Sequence, residues 1–330
     1  MWKRVLAITL VISLGVLGYV AHQANKEPRS AGADTSVTIS PFSRMAKEKE
    51  QPQRLEELYP LGNPINILLL GIDRRSKLEY GFRSDVMILV SINPLKNNVV
   101  LASIPRDLWY EGSKINGLFV NSGWEAMKRA VTEITGLEPQ RYILTDFEDF
   151  SWIVDAMGGV PVTVDRTFTD PNYPVDETLD IQTVTFTQGE EQLSGQDALV
   201  FARSRKGDNG EGSDWARMRR QHKILIGMLR AIMQPSSLFN PMVVENAFKT
   251  VTQGRMSTNL ELADTKYLWD FYKDKDKYTF SSLYLDYEYL YSPPAEDYGG
   301  AWTVVPLDGN YQTFKTDILN KLQSDAPVDR

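Results

Sequence analysis

The chain has 330 residues, with 36 Lys+Arg against 43 Asp+Glu for a formal net charge of −7, and 42% of it is hydrophobic. That balance excludes a disordered or polytopic protein and argues against a dedicated nucleic-acid binder, whose affinity for phosphate needs a cationic field. The absence of cysteine removes disulfides, thiolate nucleophiles and Cys-ligated metals, and the two histidines, His22 and His222, leave little for a triad or a histidine metal centre.

The first elements are compositional. After the short N-terminus 1–4, with Lys3 and Arg4, the run Val5 to Ala21 is apolar and no charge occurs before Lys26. A helix needs about 17–25 mostly apolar residues to span hydrocarbon, so residues 5–24 read as a transmembrane signal-anchor. A cleaved signal peptide is the alternative, but Ala21-His22-Gln23-Ala24 is a poor cleavage site. Lys3 and Arg4 hold the N-terminus in the cytoplasm, which makes the expected location the cell membrane, single-pass, with the C-terminal domain extracellular. Residues 25–63 are polar and aperiodic, a flexible extracellular tether, and the apolar transition at Pro64 opens a domain over 64–330.

Three apolar runs follow as buried strands: Ile65 to Leu70, Val86 to Ile92 and Val99 to Ile104. The turn formers between Asn93 and Asn98 force an antiparallel hairpin between the second and third. If the first two are also antiparallel, Asp73, Arg83, Asp85, Arg106 and Asp107 all crowd one edge of the sheet. Acids and arginines converging from separate strands fit a phosphate and metal site, and a solvated network of ion pairs fits the same residues equally well.

Helical spacing then runs through Met127, Ala130, Val131 and Ile134, with Asn121 or Ser122 as cap and Gly136 as stop. Tyr142 to Leu144 is a short strand, Phe147 to Met157 a second helix closed by Gly158-Gly159, and Val160 to Val164 another strand. Helices alternating with strands, after an antiparallel opening, give an α/β layered fold with a mixed sheet. From Thr167 to Asp197 there are seven acids and no Lys or Arg, whereas Arg203 to Lys223 holds seven Lys/Arg. Arg217 and Arg220, three apart on a helix capped by Ser213 or Asp214, share a face that can clamp phosphate oxygens, and a solvated basic face is the bland reading. His222 reads as a surface residue of that helix. Sequence motifs for a P-loop, a zincin or an α/β-hydrolase are missing, and acids such as Asp146 and Glu148 read as helix-start residues.

Taken in order, Ile67 to Asp73 (ILLLGID), Arg83 to Asp85 (RSD), Ser103 to Asp107 (SIPRD), Lys114 to Asn116 (KIN), Asp155 to Val160 (DAMGGV), Leu193 to Lys206 (LSGQDALVFARSRK) and Asp214 to Gln221 (DWARMRRQ) form a pattern that resembles the LytR-CpsA-Psr family of bacterial cell-envelope proteins. The resemblance implies a three-layer α-β-α sandwich with a central mixed sheet. It also implies transfer of a phospho-glycan, such as teichoic acid or capsular polysaccharide, from a polyprenyl-pyrophosphate carrier to a peptidoglycan hydroxyl, releasing polyprenyl phosphate. By the same resemblance Mg2+ is the cofactor and Asp73 and Asp85 its ligands, while Arg83, Arg106, Arg203, Arg205, Arg217 and Arg220 form the pyrophosphate clamp. Lys114 and Gln221 are expected to bind substrate. The chain departs from the family pattern at Ala216, where glycine is common, and at His222, where glutamine is common.

The residue types suit that chemistry. Phosphoryl transfer is catalysed mainly by holding the phosphates in line and stabilising charge on their oxygens, and arginines with a hard cation do both. Magnesium prefers oxygen ligands and keeps waters, so two carboxylates plus substrate suffice. Asp214 is the candidate general base, with a helix cap as its alternative role. A non-catalytic adaptor for lipid-linked glycan would need the same clamp, and a membrane-tethered transcription regulator would require DNA to meet a domain that the charge bias places outside. The expected partners are therefore lipid-linked glycan, peptidoglycan and the membrane, and no nucleic acid.

Overall fold

The computed structural model describes residues 64–72, 82–175, 180–233, 257–261 and 277–324, together with residues 264, 267, 271 and 274. The apolar run 5–21, the tether and Asp73 lie outside the described residues.

The first three strands are β1 (Ile65–Ile72), β2 (Ser84–Asn93) and β3 (Asn98–Ser103), antiparallel in sequence as the turn chemistry requires. After a small hairpin of β4 (Trp109–Tyr110) and β5 (Ser113–Lys114) come α1 (Leu118–Thr135), β6 (Arg141–Asp146) and α2 (Phe147–Ala156). Next are β7 (Val160–Val164), β8 (Phe168–Pro174), β9 (Ile181–Phe186), β10 (Gly189–Leu193), α3 (Gly195–Arg203) and α4 (Asp214–Met233). The described chain ends with β11 (Ser257–Thr258), β12 (Thr279–Tyr284), β13 (Leu290–Tyr291), β14 (Val305–Pro306) and α5 (Gln312–Gln323).

The main sheet has the order β11-β6-β1-β2-β3-β12. It is mixed: β1 is antiparallel to β2 and parallel to β6, and β3 is antiparallel to β2 and parallel to β12. Alternation along the strands sorts two faces. Leu68, Leu70, Met87, Leu89, Val100 and Ala102 pack against Phe119, Met127, Val131 and Ile134 of α1 and Phe314 and Ile318 of α5. Ile67, Ile88, Val90, Val99 and Leu101 face the other way, toward Leu225 and Ile226 of α4 and Phe271. Helices on both faces explain why these strands read as unbroken apolar runs rather than as alternating ones. A separate core joins β7 to β10 with α2, α3 and α4 through Val162, Phe168, Phe186, Phe201 and Ile224.

Capping follows the local chemistry. Gly136 ends α1 in the left-handed region at φ 75°, where a side chain would be strained. The expected cap at Asn121 or Ser122 is instead a kink: α1 begins at Leu118 and breaks at Gly123, whose φ of 78° only glycine adopts cheaply. Asp146 caps α2 by accepting from the Asp149 amide at 2.9 Å, and Ser194 caps α3. The turn at 93–98 also secures the end of α5, because Asn93 and Asn98 donate to the Leu322 carbonyl at 3.0 and 3.2 Å.

Candidate active site

Antiparallel pairing of β1 with β2 and of β2 with β3 brings the end of β1, the start of β2 and the end of β3 together. At that edge the β1–β2 register slips between Gly71 and Ile72, leaving Ile72 opposite Ser84. Glycine eases the contact there, since a methyl on Gly71 would lie 3.0 Å from Val86 Cβ and would push that side chain aside. The N-terminal end of α4 and the 302–304 segment complete a cleft lined by Asp85, Ser103, Arg106, Asp107, Asp214, Trp215, Arg217, Met218, Gln221 and Trp302 among others.

Charge in this cleft is arranged as a chain. Arg106 donates to Asp85 at 2.6 Å and to Asp107 at 3.2 Å, and Lys114 donates to the other oxygen of Asp107 at 2.6 Å. Burial by itself lowers the Arg106 pKa, but Asp85, Asp107 and Asp214 outweigh it and hold the guanidinium above its ordinary value. Asp107 is fixed in turn by its backbone, whose carbonyl accepts from Thr303 Oγ1 at 2.7 Å and from the Val304 amide at 3.2 Å. Across the cleft Asp214 opens α4, with Ser213 as the cap accepting from the Ala216 amide at 3.1 Å. Asp214 receives Arg205 on both oxygens at 3.0 and 3.2 Å and Arg217 at 3.1 Å. Arg217 is buried, and burial pulls its pKa below the ordinary value while Arg106 and Arg205 repel it, against the attraction of Asp214 and Asp85.

Two atoms of this array are buried without a hydrogen-bond partner among the described residues: Asp85 Oδ1 and Arg217 Nε. A buried donor of fixed positive charge and a buried carboxylate oxygen, both left open in one cleft, are complementary to an anion and to a hard cation respectively.

The predicted residues divide into three groups. Asp85, Arg106, Asp214, Arg217 and Gln221 line the cleft, while Arg205 and Lys114 reach it through Asp214 and Asp107. Arg203 lies with its guanidinium 4.3 Å from the Phe147 ring centre and 5.9 Å from that of Tyr173, and Arg83 is exposed beside β2. Arg220 is elsewhere. Its guanidinium is buried below Phe168, at 5.0 Å, and donates to the Phe201, Ser204 and Glu211 carbonyls and to the Glu211 carboxylate. The shared face expected for Arg217 and Arg220 therefore does not form, because α3 and the 204–211 loop offer Arg220 a set of carbonyls that a cleft cannot. His222 is corrected too: far from the surface, it is fully buried beneath the sheet end.

Residues that the sequence reading passed over also shape the site. Asp170, buried in the acidic stretch, accepts from Ser204 Oγ at 2.7 Å and from the Arg205 and Lys206 amides at 3.2 and 3.0 Å, so it fixes the loop that carries Arg205. Burial would raise its pKa, but these hydrogen bonds hold it below the ordinary value. No local spacing announces such a role for Asp170, whereas Asp107 stood next to Arg106 in the SIPRD motif.

Comparison with known proteins places the chain in a family. The LytR_cpsA_psr family model matches residues 33–318. A polyisoprenyl-teichoic acid–peptidoglycan teichoic acid transferase, TagU, from Bacillus cereus is 30% identical over 231 residues, covering 68% of this chain and 71% of TagU. Among solved structures, gbs0355 from Streptococcus agalactiae superposes with a TM-score of 0.61 at 22% identity, covering 84% of this chain and 92% of that one. TagV of B. subtilis gives a TM-score of 0.57 at 23% identity, covering 79% and 98%. With a match spanning most of its length and the mixed sheet in common, the chain belongs to the LytR_cpsA_psr family.

Proposed function

We propose that this protein transfers a phospho-glycan from a polyprenyl-pyrophosphate carrier to a peptidoglycan hydroxyl; its TagU relative is named a polyisoprenyl-teichoic acid–peptidoglycan teichoic acid transferase. The observation that carries this reading is the open pair Arg217 Nε and Asp85 Oδ1 in one cleft. In the reaction the acceptor oxygen attacks the glycan-bearing phosphorus, the bond from that phosphorus to the bridging oxygen breaks, and polyprenyl phosphate departs with the bond's electrons. Arg217 and Arg106 bind the pyrophosphate oxygens and stabilise charge as it develops. Arg205 and Arg217 now hold Asp214, and substrate phosphates compete for both, freeing a carboxylate oxygen to take the acceptor proton.

The Asp85 carboxylate fits a magnesium ligand, with one oxygen held by Arg106 and the other open. A magnesium ion there would complete its shell with waters and substrate oxygens. Asp73 follows Ile72, the residue paired with Ser84 just before Asp85, and is proposed as the second ligand. When bound, the ion would neutralise charge on the phosphate oxygens. Membrane attachment belongs to the same proposal: among the described residues no helix is long and apolar enough to cross a membrane, and Val5 to Ala21 is the segment assigned that role.

The test is incubation of the full chain with a synthetic polyprenyl-pyrophosphoryl glycan and a peptidoglycan oligomer, with and without magnesium. Glycan joined to the oligomer, with polyprenyl phosphate released in equal amount, is expected, and Arg106→Ala should lower the rate roughly 10²–10³-fold. Binding without turnover under every metal condition would instead identify a glycan adaptor.

A further inference from the structure

Ser103, the last residue of β3, lines the cleft, and its Oγ is hydrogen-bonded to Nε2 of His222 on α4. The His222 ring is fully buried, with its centre 4.5 Å from that of Tyr284 on β12. Its Nδ1 is buried with no hydrogen-bond partner among the described residues. That orphan selects the tautomer. A proton on Nδ1 would strand a buried N–H donor, whereas a bare Nδ1 leaves only an unused lone pair, the less costly of the two. Nε2 therefore carries the proton and donates it to Ser103 Oγ. Burial keeps the ring neutral, with its pKa pushed down to about 3, so this donor persists at ordinary pH.

With Oγ accepting from His222, the serine hydroxyl must send its own proton elsewhere, and among the described residues it has no second partner. The group left over is an O–H donor fixed in direction at the wall of a cleft that also holds Arg106 and Arg217. We propose that Ser103 is a further substrate ligand, a hydroxyl donor to a phosphate oxygen in the cleft, and that His222 is its positioning residue. This rests on the phosphoryl-transfer reading of the same cleft. The tautomer also argues against Ser103 as a nucleophile with His222 as its base, because a protonated Nε2 has no lone pair with which to take the serine proton, and the basic Nδ1 does not contact Ser103.

The experiment measures binding of farnesyl pyrophosphate with magnesium to the full chain in detergent by titration calorimetry, beside thermal melting. Ser103→Ala should weaken binding roughly tenfold or more; it also leaves the buried His222 N–H without its acceptor, so a lower melting temperature is expected and binding is compared well below the melt. His222→Leu should weaken it equally, and the double variant Ser103→Ala/His222→Leu no further, since both changes remove one donor. His222→Gln, whose amide can donate from a similar position, should recover most of that loss. Wild-type binding by Ser103→Ala, with binding lost in Arg106→Ala and Arg217→Ala, would overturn this proposal and leave the transfer reading standing. Wild-type binding by the two arginine variants as well would overturn both. If His222→Leu fails to fold, Ser103→Ala decides the ligand role, and a His222→Gln protein as weak as Ser103→Ala would overturn the positioning role.

Discussion

Arg217 occupies a place that disfavours its charge, since burial and the neighbouring Arg106 and Arg205 act against Asp214 and Asp85. Arg220, three residues on, is matched at every donor group by carbonyls and by Glu211. Substitution should separate them. Arg217→Met removes repulsion along with a charge, so stability in urea should hold or rise while transfer falls roughly 10²–10³-fold. Arg220→Ala leaves Glu211 and several carbonyls without their donor and should cost about 3–5 kcal/mol of stability, read from the same denaturation curves. Spacing of three along a helix could not distinguish the two, because the decisive groups are main-chain carbonyls of another segment. His222 was legible in principle: Met218, His222 and Leu225 follow the i, i+4, i+7 spacing of a buried stripe, and the surrounding arginines concealed it. Its folded pKa of about 3 lies below the ordinary 6.5, so its contribution to stability is complete above pH 6.5 and is lost as pH falls toward 3. The slope from this group approaches about 1.4 kcal/mol per pH unit. Denaturation at pH 7 and pH 5 should therefore show wild type losing more stability than His222→Gln.

Between elements, the approach of α4 to β7 depends on Gly227. A methyl there would fall 2.2 Å from the Pro161 carbonyl oxygen and 2.7 Å from Val160 Cγ2. Alanine would favour the helix by up to about 1 kcal/mol, but forcing α4 off rigid backbone costs about 1–3 kcal/mol, so the clash should win. Gly227→Ala is expected to lower the melting temperature and, because α4 also carries Arg217, to weaken transfer in the surviving folded protein. The same contrast explains which elements could be read from sequence. Strands β1, β2 and β3 announced themselves because both faces are covered, and α1 and α2 because glycines close them. The β8–β9 hairpin did not, since β9 is mostly exposed and carries no apolar run. Nor did β12, whose sequence TFSSLY carries two serines and forms the sheet edge beside β3. The edge location of the site followed from the three legible strands; the 302–304 wall, bound by a bridge between Leu108 and Val304, did not.

At the scale of the whole molecule, the proposed anchor fixes the side of the membrane on which the cleft works. Protease added to intact cells after removal of the wall should digest the 64–330 domain, and protection equal to that of a cytoplasmic marker would reverse the orientation. The parallel pairing of β3 with β12 carries a different kind of consequence. The two strands are separated by about 175 residues of chain, yet the inner one is completed only when the outer one docks. During synthesis at roughly 5–20 residues per second, the hydrogen-bonding edge of β3 stands open for about 10–35 seconds after it emerges. An unpaired apolar edge is a template for pairing with other chains. A nascent chain of this kind depends on a holding factor or on rapid passage to its final compartment, and one that stops before residue 279 retains a permanently adhesive sheet.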